Sequence, residues 1–324
     1  MELWNVTLIN SFFLIGILQD SRFPELICVI IIFLYLVAMA SNGLLLLLIA
    51  MDNRLHVPMY FMLSQLSLLD LLFTSVVAPK TLVDYLSGQN TISFTGCGLQ
   101  MFLALTLGGA EDILLAFMAY DRYVAIRHPL NYMVIMRPKV CWSMVAVSWL
   151  LASLSALVHT IYTMHFPFCR NQEIHHLLCE IPPLLKLACV DTSQYKFILY
   201  TTGVTFLLMP LSAIFASYAL VLTDVFHMPS GQGREKALLT CSSHLTVVGL
   251  YYGAAMFMYV LPSAYHSSQQ DNILSVFYTI VTPALNPLIY SLRNKDVLGA
   301  LKKLFYGFFI LLSHSCWTVH CLLH

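Results

Sequence analysis

Three acidic side chains interrupt long apolar segments of the sequence, where an ionised group is costly to bury. Asp70 lies in one such segment, and the adjacent residues Glu111 and Asp112 lie in another. Ionisable groups at this depth usually hold cations, relay protons or join polar networks between helices. Two interpretations of Asp70 stay open: a cation or polar site, and a carboxyl satisfied by neighbouring hydroxyls. Glu111 and Asp112 point to different faces of a helix, so at least one should contact polar groups of a neighbouring segment.

The tripeptide Asp121-Arg122-Tyr123 ends the segment that contains Glu111. Its Asp-Arg pair is either a solvated ion pair at a membrane boundary or a charged switch, and the residue types alone do not decide between them. Catalysis would need a convergent nucleophile and base, or a metal site. The sequence has no HExxH motif and no aspartate pair that can be assigned to facing segments. Neither an enzymatic activity nor a cofactor is therefore predicted.

Four histidines near Cys179 raise metal binding as an alternative: His159, His165, His175 and His176. Histidines in loops are more often solvated polar residues than ligands, because the imidazole is only moderately apolar. The sequence analysis therefore predicts no metal site.

The elements that position these groups follow from composition. Hydrophobic residues make up 59% of the 324 residues and charged residues only 10%, whereas soluble domains carry about 25% charged residues. A chain so poor in charge must expose most of its surface to lipid. The formal net charge of +0 gives no indication of a nucleic-acid partner.

Seven apolar stretches are long enough to cross a bilayer, which takes roughly 20 helical residues. They cover residues 25–50, 58–79, 98–120, 140–162, 196–222, 237–261 and 272–292. The seventh is interpreted as the least apolar. We expect an all-α membrane protein, a seven-transmembrane helix bundle, in residues 25–292.

The orientation of the bundle is predicted from the distribution of Lys and Arg. With the N-terminus outside, eleven Lys and Arg residues fall on the cytoplasmic side and five on the extracellular side, the bias of the positive-inside rule. Residues 1–24 then form an extracellular N-terminus and residues 293–324 a cytoplasmic tail. Asn5 begins an N-x-Thr glycosylation site, which agrees with an N-terminus on the lumenal side.

Four cysteines fall on the predicted outer side: Cys97, Cys169, Cys179 and Cys189. An even number on the oxidising side favours disulfides over free thiols. Their spacing does not determine which cysteines pair.

Five sequence motifs lie in order along the chain. They are LHVPMY at 55–60, MAYDRYVAIRHPL at 118–130, SY at 217–218, KALLTCSSHL at 236–245 and PALNPLIYSLRNKD at 283–296. With these motifs the sequence resembles the rhodopsin-like G-protein-coupled receptors and, within them, the vertebrate olfactory receptors. Val57 and Arg127 depart from the family pattern, which usually has Thr and Cys at these positions.

The resemblance implies a receptor of the cell membrane that takes part in olfaction. Such a receptor binds small volatile odorants in the outer half of the bundle and activates a stimulatory heterotrimeric G protein, which raises cAMP. A transporter or channel is the alternative, but transporters tend to contain inverted repeats and broken helix pairs. The sequence has no such repeat.

The resemblance also implies residue roles. A cytoplasmic switch would consist of Asp121, Arg122, Tyr123, Tyr218, Asn286, Pro287 and Tyr290. In the resting state Arg122 would pair with Asp121, and on activation it would move towards the G protein and Tyr218. An interior polar cluster would comprise Asn42, Asp70 and Asn286, and in related receptors this cluster can hold sodium. The disulfides would be Cys97–Cys179 and Cys169–Cys189.

The ligand pocket is predicted from the resemblance and from counting along helix faces. Its residues would be Ala104, Leu105, Gly108, Gly109, Thr202, Gly203, Phe206, Tyr252, Ala255, Tyr259 and Thr279. These are apolar residues with a few hydroxyls, as suits a weakly polar ligand. Small and aromatic residues at helical spacing also serve helix–helix packing, and this alternative stays open. The tail after residue 305 departs from the family and is expected to lie on the inner leaflet or to be disordered, with Cys316 and Cys321 as candidate lipidation sites.

Overall fold

A computed structural model describes residues 10–169, 172–227, 231–260, 267–292 and 294–306. For Asp20, Tyr259 and Leu292 only the backbone is described. The predicted glycosylation site at Asn5 and the tail from residue 307 lie outside the described residues.

Seven long helical segments form a bundle, which confirms the predicted fold class. They are Pro24–Met51, Pro58–Ser87, Phe94–Arg127, Pro138–Met164, Ser193–His227, Gln232–Val260 and a composite seventh from Ser268 to Leu292. Each predicted span falls within one of these segments, and residue 261, the last of the predicted sixth span, is not described. Below, the segments are called the first to the seventh span.

Six of the described helices are long and apolar enough to cross a membrane, and the seventh span is among them. The sixth span, Gln232–Val260, is not. The prediction that the seventh span is the least apolar was therefore wrong. The sixth span is less apolar because Ser242, Ser243 and His244 lie within it.

Prolines and helix-capping residues set several of the span boundaries. Pro24, Pro58 and Pro138 occupy the first turn of their helices, where the missing N–H leaves no backbone bond unmade. The second span ends at Gly88, which has a φ of 66°, a left-handed conformation that glycine adopts without steric penalty. Ser93 begins the third span by accepting a hydrogen bond from the Gly96 N–H at 3.0 Å.

The seventh span is irregular. An α-helix, Ser268–Val276, continues through a π-helical turn, Phe277–Val281, into a second α-helix, Thr282–Leu292. The last part contains Pro287, which removes one backbone donor and weakens the helix at that point. Single π-helical turns occur frequently at functional sites.

A small three-stranded sheet, which the sequence analysis did not predict, covers one end of the bundle. The central strand β1, Ser11–Leu14, pairs antiparallel with β2, Thr91–Ser93, and parallel with β3, Glu173–Ile174. In this register Phe12 lies opposite Ile92, and Leu14 lies opposite Ile174. These strands are only two to four residues long, too short for an alternating apolar pattern to be recognised. We call this the outer end, in keeping with the predicted orientation.

The main core lies between the spans, and the outward faces remain apolar. Leu66, Leu114 and Val221 are buried inside the bundle, whereas Phe33 and Phe215 on the outside are 63% and 66% exposed. Long helices with exposed large apolar side chains are what a lipid-facing bundle requires, because the acyl chains are as apolar as these side chains.

At the opposite, inner end, short helices connect the spans. A 3₁₀ turn, Asn53–Leu55, follows the first span, and a short helix, Tyr132–Ile135, lies between the third and fourth spans. Residues 295–306 form a further helix after the seventh span.

Candidate functional site

The Asp121-Arg122 pair lies at the inner end of the third span, where the two side chains form an ion pair. Asp121 is 1% exposed and also accepts a hydrogen bond of 2.7 Å from the Tyr132 hydroxyl of the loop helix. Burial raises the pKa of the Tyr132 phenol, and the charge of Asp121 adds to this shift. Asp121 thus holds both the arginine of its own helix and the following loop.

Tyr218 of the fifth span is bonded to the sixth span. Its hydroxyl lies 2.8 Å from Nδ1 of His244, and the two rings stack with centroids 5.6 Å apart. Both side chains are buried. Tyr218 was predicted as a switch residue, whereas His244 was not, although this histidine lies within the KALLTCSSHL motif.

A cavity separates these two contacts at the inner end of the bundle. The cavity is small, with a volume of about 30 Å³. Its walls come from the second, third, sixth and seventh spans and include Tyr60, Asp121, Arg122, His244 and Tyr290. Three predicted switch residues, Asp121, Arg122 and Tyr290, therefore face one space between helices.

Ion pairs and hydrogen bonds join helix ends around this cavity. Lys236 Nζ of the sixth span lies 3.3 Å from Asp296 Oδ2, and the Tyr60 hydroxyl donates to Asn294 Oδ1 at 3.0 Å. Arg127, the residue that departs from the family pattern, lies 3.4 Å from Asp224 of the fifth span.

The connection between the first and second spans is held by an ion pair between two residues close in sequence. Arg54 donates hydrogen bonds to the Asp52 carboxylate from its side chain and its backbone. These hydrogen bonds hold the pKa of Asp52 well below its ordinary value. The pair fixes the turn between the first two spans.

The predicted interior polar cluster is brought together midway through the bundle. Asn286 donates from Nδ2 to the Asp70 oxygens at 3.1 and 3.2 Å. Asn42 donates to the Pro283 carbonyl at 2.9 Å, which ties the first span to the seventh. All three side chains are at least 99% buried.

Glu111 joins this cluster; it was singled out from the sequence as an acid within a span but was not predicted to lie with Asp70 and Asn286. It is 3% exposed and interacts electrostatically with Asp70. It precedes Arg122 by eleven residues, which is about three helical turns and therefore the same face; this spacing could have identified it. Among the described residues, Glu111 Oε1 and Asn286 Oδ1 have no hydrogen-bond partner, so they are oxygen atoms that a small cation could bind. In the described ranges no group of three or more His, Cys, Asp or Glu is placed to hold a metal ion.

Several predicted pocket residues lie on facing sides of the third, fifth and sixth spans. The Tyr251 hydroxyl donates to the Gly108 carbonyl at 2.7 Å. The Tyr252 hydroxyl donates to the Asp112 carbonyl, one turn further along the third span, at 3.4 Å. A side chain at Gly203 would meet open space. The remaining residues of this set are buried or half-buried: Ala104, Leu105, Thr202, Phe206 and Ala255.

Two predicted pocket residues make packing contacts instead. A Cβ at Gly109 would lie 3.2 Å from the Cβ of Ala152, so Gly109 allows the third and fourth spans to approach closely. Thr279 is fully buried, bonds to the Ser275 carbonyl, and accepts from Thr74 of the second span through its own carbonyl. The side chain of Tyr259 lies outside the described residues.

Two disulfides lie at the outer end. Cys97 at the top of the third span is bonded to Cys179, with Cα atoms 5.4 Å apart, and Cys169 is bonded to Cys189, with Cα atoms 5.6 Å apart. The Cys179 N–H also donates to Gln100 Oε1 at 3.0 Å. The long outer loop is therefore fixed to the third span.

Two histidines that were interpreted as solvated are not. His176 is 1% exposed, and its Nε2 lies 2.9 Å from Ser275 Oγ of the seventh span. His159 is half-buried and lies 3.2 Å from the Tyr195 hydroxyl. His175, in contrast, is exposed as expected. The sequence could not separate these cases, because neighbouring loop positions face opposite sides.

Comparison with known proteins shows extensive similarity. A family model described as "Olfactory receptor" matches residues 31–307. The chain is 68% identical to human olfactory receptor 2AG1 and 69% identical to human olfactory receptor 2AG2, in both cases over 97% of this chain and 99% of the relative. It is also 52% identical to human olfactory receptor 2T27 over 94% of this chain and 96% of the relative.

Proposed function

The chain belongs to the olfactory receptor family, and from this premise we propose that it binds small volatile odorants in the outer half of its bundle and activates a stimulatory G protein, which raises cAMP. The family consists of multi-pass G-protein-coupled receptors of the membrane rather than enzymes. The site of odorant binding, the type of G protein and the topology are the parts of this proposal that go beyond the family.

In the proposed topology residues 1–24 are extracellular, residues 25–292 form the transmembrane domain and residues 293–324 are cytoplasmic. The disulfides support this topology, because both lie at one end and disulfides form in oxidising compartments. The Lys and Arg bias puts the opposite end, with Arg122 and Lys236, in the cytoplasm. Glycosylation at Asn5 belongs to the same proposal.

The odorant site lies between the third, fifth and sixth spans. It is supported by the open space beside Gly203 and by the half-buried side chains of Leu105 on the third span and Phe206 on the fifth. An apolar, enclosed site with few polar groups favours small, weakly polar molecules, because most of the binding free energy there comes from the removal of apolar surface from water. Gly109 is left out of the proposed site, because its contact with Ala152 is helix packing.

G-protein activation depends on Arg122, and the single observation that supports it most is the position of this arginine. Arg122 is held by Asp121 at the edge of a cavity whose walls belong to four different spans. When the inner ends of these spans separate, Arg122 can leave Asp121 and contact an entering partner. The Tyr218–His244 bond is the second contact that such a separation would change.

The bundle is in equilibrium between a state with its inner ends closed and a state with them separated. An odorant shifts this equilibrium only if it binds the two states with different affinity. The interior cluster connects the two sites, because Asp70 and Asn286 lie between the outer pocket and Arg122. Pro287 follows Asn286 directly and provides the point at which the seventh span can bend.

The test is a cAMP reporter assay in cells with a panel of odorants. Arg122→Ala should abolish the odorant response, while Arg137→Ala, which alters an exposed arginine at the same end, should leave it intact. Surface expression is measured for both. A full response from Arg122→Ala at equal surface expression would refute the assigned role. Odorant-evoked current in cells lacking G proteins would favour a channel instead.

A further inference from the structure

A groove lies between the third and fourth spans near their inner ends. It has a volume of about 270 Å³, close to the lower end of the range for small-molecule sites, roughly 300–1,000 Å³. Phe117 of the third span forms one wall, and the fourth span forms the other through Val140, Met144 and Val147. We call this the inner groove, and its lining is completed by Arg137, Lys139 and Ser143.

The apolar wall of the inner groove faces outward. Val140, Met144 and Val147 recur at intervals of four and three residues, which places them on one face of the fourth span. The face that packs into the bundle is a different one and includes Cys141 and Val145. Val147 is 41% exposed, so this wall is accessible to an acyl chain of the surrounding membrane.

Two cations lie at the inner edge of the groove. Arg137 precedes the fourth span and Lys139 lies in its first turn, and both side chains are exposed. In the described ranges neither of them forms an ion pair. Asp121, the acid at the inner end of the third span, is buried and already paired with Arg122. Within the described part of the chain, the two positive charges are therefore uncompensated.

The occupant of this groove must match an apolar wall and two positive charges beside it. A neutral lipid would leave both cations without a counter-charge, and a soluble anion would leave the apolar wall unfilled. An anionic phospholipid carries an acyl chain and a phosphate in one molecule, and phosphate forms strong charge-assisted hydrogen bonds with Arg and Lys. Basic pockets between spans on the cytoplasmic side are suited to such head groups.

We propose that the inner groove binds an anionic phospholipid of the cytoplasmic leaflet, with its phosphate at Arg137 and Lys139 and one acyl chain along Phe117 and Met144. The inference goes beyond the proposed function and takes from it only the topology that names the leaflet. The bound lipid stabilises the packing of the third span against the fourth. Arg122 faces the cavity inside the bundle instead, so the lipid site is separate from the switch and the odorant response does not require it.

The experiment uses the purified full-length receptor in neutral detergent micelles, without odorant or G protein. Phosphatidylserine and phosphatidylcholine with identical acyl chains are titrated in, and the unfolding temperature is followed as a measure of binding. Glycerophosphoserine, the head group without acyl chains, distinguishes a lipid site from a site for a soluble anion.

In the wild type, phosphatidylserine should raise the unfolding temperature at lower concentration than phosphatidylcholine, and glycerophosphoserine should leave it unchanged. Equal stabilisation by the two lipids would overturn the proposal, and so would equal stabilisation by phosphatidylserine and its free head group.

Arg137→Ala combined with Lys139→Ala should weaken phosphatidylserine binding about thirtyfold, because each cation near an anionic lipid contributes about fivefold. Binding of phosphatidylcholine should not change. The matched control combines Lys295→Ala with Lys302→Ala, which removes two exposed cations from the same end of the bundle, and it should keep the preference for phosphatidylserine. An equal loss in both double variants would show a general attraction of the inner end for anionic lipid and would refute the site.

A second pair of variants tests the groove without changing any charge. Ser143→Phe places a ring in the inner groove and should reduce the shift in unfolding temperature that phosphatidylserine causes. Ala146→Phe, at an exposed position of the same helix outside the groove, should leave that shift intact. Unchanged phosphatidylserine binding to Ser143→Phe would show that the groove is not the site. These lipid measurements need neither odorant nor G protein, so their outcome is independent of the proposed coupling.

Discussion

Lys236, in the first turns of the sixth span, lies 3.3 Å from Asp296, which begins the helix after the seventh span. The Tyr60 hydroxyl of the second span lies 3.3 Å from the same carboxylate. Asp296 therefore joins three parts of the chain at the inner end, and the pair with Lys236 must break if the sixth span moves outward.

We expect Asp296→Asn to raise cAMP in the absence of odorant, because it weakens a contact that only the closed inner end makes. Exposed ion pairs contribute about 0–1 kcal/mol, so the active fraction should rise up to roughly fivefold. The measurement is basal cAMP normalised to surface expression. Lys302→Ala, an exposed residue of the same terminal helix, is the control, and an unchanged basal level in Asp296→Asn would contradict the prediction.

Arg127 and Asp224 should couple energetically across the third and fifth spans. We expect Arg127→Ala and Asp224→Ala each to destabilise the receptor slightly, and the double variant to lose about 0.5 kcal/mol less than their sum. The pair is partly exposed, so the coupling should decrease as salt is added. Thermal unfolding of the purified variants at low and high salt measures both effects. If the stability losses of the two single variants add up to that of the double variant, the ion pair contributes nothing to stability.

Removing the Tyr218 hydroxyl should weaken the contact between the fifth and sixth spans. Tyr218→Phe leaves His244 Nδ1 buried without its partner, and we expect a loss of about 1–3 kcal/mol in stability. Tyr200→Phe provides the control, because Tyr200 lies on the same helix and is 51% exposed. Equal unfolding temperatures for the two variants would count against a role for the hydroxyl.

Disulfide removal should have unequal effects. The Cys97–Cys179 bridge spans 82 residues and Cys169–Cys189 spans 20, and a longer closed loop restricts the unfolded chain more. Cys97→Ser also releases residues 176–180 of the outer loop from the third span. We therefore expect a larger loss of surface receptor from Cys97→Ser than from Cys169→Ser, by flow cytometry of an epitope-tagged receptor. The opposite order would show that loop length does not govern the effect.

The interior cluster should tolerate changes poorly. Asp70→Ala removes both acceptors of the Asn286 amide and leaves a donor buried without a partner, which we expect to reduce stability by about 1–3 kcal/mol. Asp84→Ala is the control, a buried acid of the same helix near its outer end. Thermal unfolding measures stability, and the odorant response at matched surface level measures coupling. A normal response in Asp70→Ala would exclude the cluster from signalling.

The spans could be predicted because each depends on a local property, the run of apolar residues, which the sequence displays directly. Asp70 and Asn286 could be placed together only through the family resemblance, since their bond joins residues 216 positions apart. The contact of His244 with Tyr218 needed the relative rotation of whole helices. That rotation is set by packing between spans such as Gly109 against Ala152, and it leaves no periodic signal of its own.

The outer loop was the least predictable region for a different reason. His175 and His176 have the same side chain and adjacent positions, yet one is exposed and the other buried. The difference arises because β3 and the Cys97–Cys179 bridge fix the direction of the chain between them. The least apolar span was misjudged because Ser242, Ser243 and His244 lower the hydropathy of the sixth span below that of the seventh.

The central position of β1 in the outer sheet imposes an order on biosynthesis. Residues 11–14 leave the ribosome before either of their partners, and β3 is made only after four spans have been synthesised. In the proposed topology, the N-terminal segment waits in the lumen during that time. The sheet therefore closes late, and a receptor arrested before residue 174 would present β1 with one of its two edges unpaired to the quality-control machinery of the cell.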